Sequence, residues 1–307
     1  MLFFRFYTFI CVVVALLHLL CPLTNASAQV SAGGQPISFN SFLQAQLNKN
    51  TSLPIIATNP TTINWGQIAA KDAINDLDPT KPYRFGVPLS ANIDVLQKGL
   101  WQTLPNGDKI CRLAINSAAA QAIHLIYKQF YLPPGATLHL YSPNQQQILG
   151  AFTPLNNKPH GRMATGIIFG ETTILEYYEP AAYAGQGQIQ VATVVHHYRG
   201  FANAQFNLDN KRQSPSLQEE EEEQQQSKSE EGFGDSGLCN INVNCPEGDD
   251  WQNPKRSVGL ILSQQGTRLC TGALINNARN DCTPLFLTAN HCVDYPTEPE
   301  TWLFMFN

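Results

Sequence analysis

The sequence has few charged residues and no excess of basic ones. Charged side chains make up 14% of its 307 residues, and 19 lysines and arginines stand against 24 aspartates and glutamates, giving a formal net charge of −5. A chain without a basic surplus lacks the electrostatic attraction on which nucleic-acid binding depends, so we expect no nucleic-acid partner. The composition, with 21 glycines and 20 prolines, is typical of a secreted β-rich protein with many turns.

Metal-binding patterns are also missing. No Cys-x-x-Cys pair occurs, and His196 and His197 in VVHHYRG are neighbours in a run that looks like a β-strand. Neighbouring side chains on a strand point to opposite faces, so these histidines are poorly placed to share a metal ion. We therefore predict no metal site and no cofactor, and an ordinary strand on which one of the two histidines is exposed.

A long hydrophobic run is present at the N-terminus. Arg5 precedes an apolar stretch over residues 6–20, and the small residues Ala26, Ser27 and Ala28 follow. This order is typical of a secretory signal peptide, whereas a membrane-spanning helix needs about 20 apolar residues. We predict a signal peptide over residues 1–28, no stable membrane anchor, and a secreted protein, extracellular or periplasmic.

Export makes the cysteines informative, because disulfides persist outside the reducing cytoplasm. Removal of the signal leaves six cysteines, and all except Cys111 lie after residue 238: Cys239, Cys245, Cys270, Cys282 and Cys292. The disulfide-rich part of the protein is therefore predicted to be C-terminal. Cys111 lies in an apolar run and is predicted to be a buried free thiol.

The middle of the chain is a series of short β-type runs. Residues 29–80 are polar and rich in Asn, Thr and Pro, and we expect them to be a poorly structured N-terminal propeptide segment. Runs such as KICRLAIN, IHLIYKQFYL and TLHLYSP then alternate with turn signals such as LPNGD and LPPGA. About seven such strands at regular spacing predict an antiparallel β-sandwich over residues 81–203.

An acidic segment separates this region from the rest. Residues 204–233 contain five consecutive glutamates and three consecutive glutamines. Such a composition cannot bury enough apolar surface to offset chain entropy, so we expect a disordered acidic linker. The linker is either a processing site between a prodomain and an enzyme or a plain spacer, and its composition does not separate the two.

After the linker the sequence carries a specific pattern. Cys270 begins the run CTGALI, and His291 and Cys292 end the run LTANHC. These runs resemble the chymotrypsin-fold serine proteases, in which C-x-G-x-L-I on one strand precedes L-T-A-x-H-C. The resemblance implies that His291 is the general base of catalysis, and that Cys270 and Cys292 form the disulfide that holds the histidine loop.

The resemblance narrows to one family. The stretch GDSGLCNINVNCPEGDD at residues 234–250 is similar to the start of the mature bacterial lysyl endopeptidases. That resemblance implies that residues 234–307 are the N-terminal part of a trypsin-like serine protease domain. It also implies that Cys239 and Cys245 pair with cysteines further along than this sequence extends. Cys282 has no counterpart in the pattern.

Ser236 lies in the GDSG at residues 234–237, which resembles the nucleophile segment of trypsin-like proteases. It precedes His291 by 55 residues, whereas the family order is histidine, aspartate, serine. We interpret Ser236 as part of the mature start and not as the nucleophile. The carboxylates after His291, namely Asp294, Glu298 and Glu300, lie in the loop that follows it, and Asp294 is predicted to be a solvated loop residue.

The sequence ends 16 residues after His291, at Asn307. We therefore expect the nucleophile and the triad aspartate to be absent, the 307-residue chain to be inactive, and the barrel to be incomplete with open strand edges. The predicted fold is mostly β: a β-sandwich prodomain followed by the first strands of an incomplete chymotrypsin-type double β-barrel.

Two functions remain open at this stage. The first is a secreted serine endopeptidase precursor that acts on protein or peptide substrates and whose prodomain packs on the protease domain. A preference for lysine follows only from the resemblance. The alternative is a non-catalytic secreted β-sandwich protein that binds a partner or its cognate protease.

Overall fold

A computed structural model describes residues 31–41, 43, 52–78, 80–199, 246–279, 281, 283–293 and 299–306. The predicted signal peptide and acidic linker lie outside the described residues. So do Ser236, Cys239, Cys245, Cys282, Asp294 and Glu298, and the predictions on these residues stay predictions.

The described part of the chain is mostly β, as the sequence predicts. Its α-helices are α1 (Trp65–Asn75), α2 (Val95–Lys98) and α3 (Gln252–Lys255). Its strands are β1 (Ile55–Ala57), β2 (Tyr83–Arg84), β3 (Gly86–Asp94), β4 (Leu100–Thr103), β5 (Lys109–Asn116), β6 (Ala122–Tyr131), β7 (Thr137–Tyr141), β8 (Ile148–Phe152), β9 (Met163–Ala164), β10 (Ile168–Phe169), β11 (Thr172–Glu179), β12 (Gln188–His197), β13 (Val258–Leu262), β14 (Thr267–Ile275), β15 (Leu285–Thr288) and β16 (Leu303–Phe306).

The first two sheets face each other across one core. The six-stranded first sheet has the order β1-β5-β11-β7-β8, with β4 also paired to β5. The five-stranded second sheet has the order β10-β6-β12-β3, with β9 also paired to β6. Leu113 and Leu175 of the first sheet and Leu125 and Val194 of the second belong to the same buried cluster. We call this two-sheet unit the sandwich.

Alternation along the strands explains which side chains enter this core. On β5 the side chains of Cys111, Leu113 and Ile115 are in the cluster, and Arg112 between them is not. This is the period-two pattern of a strand, although the opposite face of β5 is largely buried as well, with Ile110 and Ala114 at 0% and 2% exposure. Cys111 is a free, fully buried thiol, as predicted. Burial, with smaller contributions from nearby carboxylates, raises the pKa of Cys111 to about 12, so the thiol is held protonated.

The segment before β2 differs from the expectation of a poorly structured propeptide. Residues 52–78 contain β1, which pairs in parallel with β5, and the eleven-residue helix α1. Asn64 caps α1 by accepting a hydrogen bond from the Gln67 amide at 3.0 Å. Asp72 of α1 accepts one from Arg84 Nε at 2.9 Å. Local composition missed these elements because partners far along the chain hold them in place.

The C-terminal residues form a third sheet with the order β15-β14-β13-β16. Its strands correspond to the predicted runs SVGLILSQ, RLCTGALIN, PLFLTANHC and TWLFMFN. Within the described residues, β15 and β16 are the outer strands of this order and do not pair with each other, so the sheet is open. Leu285 and Leu287 on β15 remain exposed.

The third sheet is attached to the sandwich through a short strand. β2 pairs with β14 in the register Thr267 to Arg84 and Arg268 to Tyr83. The amides of Phe85 and Gly86 both donate to the Gly266 carbonyl, at 2.8 and 2.9 Å. A methyl group at Gly266 would lie 2.5 Å from Gly86 backbone atoms, so the chains approach this closely only because the residue is glycine.

An apolar cluster completes this attachment. Side chains of the sandwich and of the third sheet are buried together, and we call them the junction cluster: Phe85, Ile126, Ala164, Val195, Leu262 and Leu303. The outer face of the second sheet is therefore covered by the third sheet. Within the described residues, no helix is long and apolar enough to cross a membrane.

The prediction that one of the paired histidines is exposed is wrong. His196 and His197 are both buried, at 1% and 0% exposure, although they do point to opposite faces. His196 Nδ1 lies 2.8 Å from Ser117 Oγ, whereas His197 Nε2 lies 2.7 Å from His124 Nδ1. The face that would be exposed in a lone sandwich is the one that the third sheet covers.

Candidate active site

Two paired strands position the predicted catalytic histidine. β14 and β15 run antiparallel, with Gly272 opposite Thr288 and Ile275 opposite Leu285. β15 ends at Thr288, and a single turn of 3-10 helix, Asn290–Cys292, follows. His291 is therefore carried at the end of a strand, on a turn that leads away from the sheet.

The turn is tied back to the sheet at two points. Cys292 forms a disulfide with Cys270 of β14, and the Cys292 side chain is 1% exposed. Thr288 Oγ1 donates a hydrogen bond to the Thr271 carbonyl at 2.8 Å and lies 3.3 Å from Cys292 Sγ. These ties restrict the backbone on both sides of His291, which itself remains exposed.

The glycine of the CTGALI run has a packing role. A methyl group at Gly272 would lie 2.3 Å from the Phe286 ring and 2.4 Å from the Leu287 carbonyl oxygen. The missing side chain lets the Phe286 ring lie across β14, where it also packs edge to face on Phe304 at 4.7 Å. In the Cys-x-Gly pattern, Cys270 therefore provides the disulfide, and Gly272 provides the space for the Phe286 ring that packs beside β15.

His291 has no carboxylate partner among the residues that the structure describes. Within them, no hydrogen bond or ion pair connects its ring to an aspartate or glutamate. Glu300 lies in a separate turn, Pro299–Thr301, and is exposed. Asp294, Glu298 and Ser236 are outside the described residues, so the structure does not relate them to His291.

The surroundings of His291 also resemble a metal-binding group at first sight. Ligand atoms of Cys270, His291 and Cys292 lie within 4.8 Å of one another. The two sulfurs are bonded to each other, however, and a metal ion requires them as free thiolates. The three side chains lie close together because the disulfide is beside the histidine. Of the three, the His291 imidazole is the one group that is free to bind a metal ion.

A cavity of about 790 Å³ lies away from His291, between the sandwich and the third sheet. Lys158 and Arg162 of the sandwich line one side, and Arg256, Trp302 and Phe304 line the other. Neither this cavity nor the attachment at β2 is predicted by a sequence pattern. The two-residue strand β2 is too short for a periodic signal, so no pattern could have indicated it.

The C-terminal region is similar to a family of lysyl endopeptidases. Residues 233–307 match the family described as lysyl endopeptidase, C-terminal domain. The match includes both disulfide cysteines and His291, and it covers about a quarter of the chain.

A curated relative extends the similarity. The chain is 24% identical over 232 residues to a lysyl endopeptidase of Pseudomonas aeruginosa, strain PAO1. The alignment covers 70% of this chain and 44% of the relative, so it spans less than half of that protein's length. Because residues 233–307 are only about a quarter of the chain, the alignment must also include residues before position 233. No solved structure matches the chain.

Proposed function

We propose that this chain belongs to the precursor of a secreted, trypsin-like serine endopeptidase. In this proposal residues 234–307 begin the protease domain, and His291 is its general base. The observation that carries the proposal is the lysyl endopeptidase match over residues 233–307, in which His291 stands on a turn tied to β14 by the Cys270–Cys292 disulfide.

The role proposed for His291 follows from the chemistry of peptide hydrolysis. A serine hydroxyl attacks the substrate carbonyl carbon while the histidine takes the hydroxyl proton, and the histidine then gives that proton to the leaving amine. An exposed imidazole on a restrained turn suits this shuttle, because the backbone is restrained while the ring stays accessible to substrate. The proposal assigns neither the nucleophile nor the orienting acid to a described residue.

We further propose that the sandwich is the prodomain and packs on the protease domain. Two observations support this. The similarity to the Pseudomonas aeruginosa lysyl endopeptidase continues before residue 233. In addition, β2 adds a strand to β14, and the junction cluster buries side chains from both parts. The proposed substrates are proteins or peptides cleaved after lysine, as the relative's name states for that protein, and the proposed signal peptide directs secretion.

The proposal is tested in the complete gene product that carries these residues. We expect hydrolysis of a lysyl ester substrate, inhibition by diisopropyl fluorophosphate, and a loss of turnover of about 10⁴-fold or more in His291→Ala. His160→Ala, which changes an exposed histidine of the sandwich, is the matched control and should keep full activity. No lysyl esterase activity, or activity that survives His291→Ala, would overturn the proposal.

A second function is favoured by the strand added at β2. Main-chain pairing of Tyr83 and Arg84 with β14 is the geometry by which one protein adds a strand to the sheet of another. The sandwich could therefore act as a non-catalytic binding module for its cognate protease domain. If the complete gene product has no peptidase activity while the β2–β14 contact persists in solution, this function is the better account.

A further inference from the structure

Two buried histidines lie directly beside the attachment of the third sheet. His124 on β6 and His197 on β12 are 1% and 0% exposed. His124 Nδ1 lies 2.7 Å from His197 Nε2, and the two rings are perpendicular with centroids 5.0 Å apart. One ring must donate the proton of this hydrogen bond and the other accept it. We call these two residues the histidine pair.

The pair lies on the face that receives the third sheet. His124 is two residues before Ile126 on β6, and His197 is two residues after Val195 on β12, so all four side chains share one face. Ile126 and Val195 belong to the junction cluster. Without the third sheet this face of the sandwich would meet water.

Phe85 connects the pair to the hairpin between β13 and β14. Its ring packs on His197 with centroids 4.8 Å apart. Its amide, together with that of Gly86, donates to the carbonyl of Gly266 in the hairpin turn. A movement of His197 would therefore disturb the residues that hold the turn.

Within the described part of the chain, no ion pair or hydrogen bond joins an aspartate or glutamate to His124, and burial alone lowers its pKa. Among titratable groups, His124 and His196 act on His197, and Glu171 acts on His196 from further away. The hairpin turn at residues 263–266 is Ser-Gln-Gln-Gly, and residues 86–90 of β3 are Gly-Val-Pro-Leu-Ser. Glu300, in the turn that contacts β9, is exposed.

We propose that the histidine pair is a pH-sensitive contact that holds the β13–β14 hairpin on the sandwich at neutral pH and releases it in acid. The inference deepens the proposed function, since it assigns a regulatory step to the contact between prodomain and protease domain.

The physical reason is the cost of a buried charge. Burial lowers the pKa of His124 to about 3, and burial together with the neighbouring histidines lowers the pKa of His197 well below its usual value. The first proton places a charge on a ring that is removed from water, and burial disfavours that charge. A second proton turns both facing nitrogens into donors and breaks the hydrogen bond. Undocking the hairpin exposes this face, and there the rings bind protons with a pKa near 6.5.

The expected size of the effect follows from proton linkage. A histidine that binds a proton only in the undocked form favours that form by up to tenfold for each pH unit below about 6.5. Between pH 7 and pH 5 one such histidine shifts the docking equilibrium by about 25-fold, and two shift it further.

Hydrogen exchange of single amides in the full chain tests the proposal. We expect protection of the Phe85 and Gly86 amides to fall by about 25-fold or more from pH 7 to pH 5, relative to the amides of β5 and β11 in the same sample. Dividing the protection of the Phe85 and Gly86 amides by that of the β5 and β11 amides gives a ratio from which the intrinsic pH dependence of exchange cancels. A constant ratio, or an equal loss of protection in β5 and β11, would show that acid does not act at this contact.

Matched variants show whether the histidine pair is responsible. His124→Asn with His197→Gln places amide groups near Nδ1 and Nε2, so it can keep the hydrogen bond without a titratable ring. The ratio should then stay constant with pH, whereas it should still fall in His160→Gln. If the double variant does not fold, His197→Gln alone should reduce the fall. Because exchange reports docking and not hydrolysis, it can fail or succeed independently of the peptidase assay.

Discussion

The carboxylate of Asp72 is expected to be one of the larger single contributions to the stability of the sandwich. Asp72 is 4% exposed on α1. It accepts hydrogen bonds from Arg84 Nε at 2.9 Å and from the Tyr198 hydroxyl, and Arg199 Nη2 lies 3.6 Å away. One side chain therefore joins α1 to β2 and to the residues that follow β12.

The magnitude follows from what Asp72→Ala would leave behind. Removing one partner of a fully buried ion pair costs about 3–5 kcal/mol, because the remaining charge has no compensation. Here the arginines are not fully buried, at 20% and 26% side-chain exposure, and Arg199 keeps its bonds to Asp76 at 2.6 and 2.9 Å. We therefore expect Asp72→Ala to lower the free energy of unfolding by about 2–3 kcal/mol.

Urea unfolding followed by circular dichroism measures this difference. Asp72→Asn keeps the volume and one acceptor oxygen, so it should cost less than alanine, about 1 kcal/mol. Asp250→Ala, at an exposed position in a 3-10 turn, is the control and should change stability by less than about 0.5 kcal/mol. If Asp72→Ala were as mild as Asp250→Ala, the assigned role of the network would be refuted.

Two further predictions concern the third sheet. Replacing Cys270 and Cys292 by serine removes a cross-link between residues 22 apart, which should lower the free energy of unfolding by about 3 kcal/mol, and thermal melting of the double variant against the parent checks this. Gly272→Ala should cost about 1–3 kcal/mol, because the Leu287 carbonyl oxygen that a methyl group would meet at 2.4 Å is backbone. Gly66→Ala in α1, whose new methyl group would be 3.6 Å from Asn64 Oδ1, should raise stability by up to about 1 kcal/mol in the same urea assay, because alanine is the better helix former. Equal costs at both glycines would contradict the close-packing argument.

Sequence patterns were informative where structure depends on neighbours along the chain. The run KICRLAIN is β5 from its first residue to its last, because its β-type composition and the flanking turn signal are both local. Cys270, His291 and Cys292 could likewise be identified as a group, since the family pattern is carried by two short runs. The structure places these three together at the end of β15.

Other features depended on residues distant in the chain. The polar composition of residues 29–80 indicated little structure, yet α1 forms there because Asp72 binds Arg84 and Trp65 packs on His196 with ring centroids 5.3 Å apart. The composition of a segment describes that segment alone, so it cannot indicate contacts with residues outside it, such as Arg84 and His196.

By itself the sequence determined the β-rich class, the buried free thiol and the grouping of the candidate base with its disulfide, because each follows from local periodicity or a contiguous motif. Only the tertiary structure decided that β2 would join the third sheet and that both His196 and His197 would be buried. Those outcomes depend on which surface covers the outer face of the second sheet. Period-two alternation states that a strand has two faces, but the contacts of the folded chain determine which of them meets water.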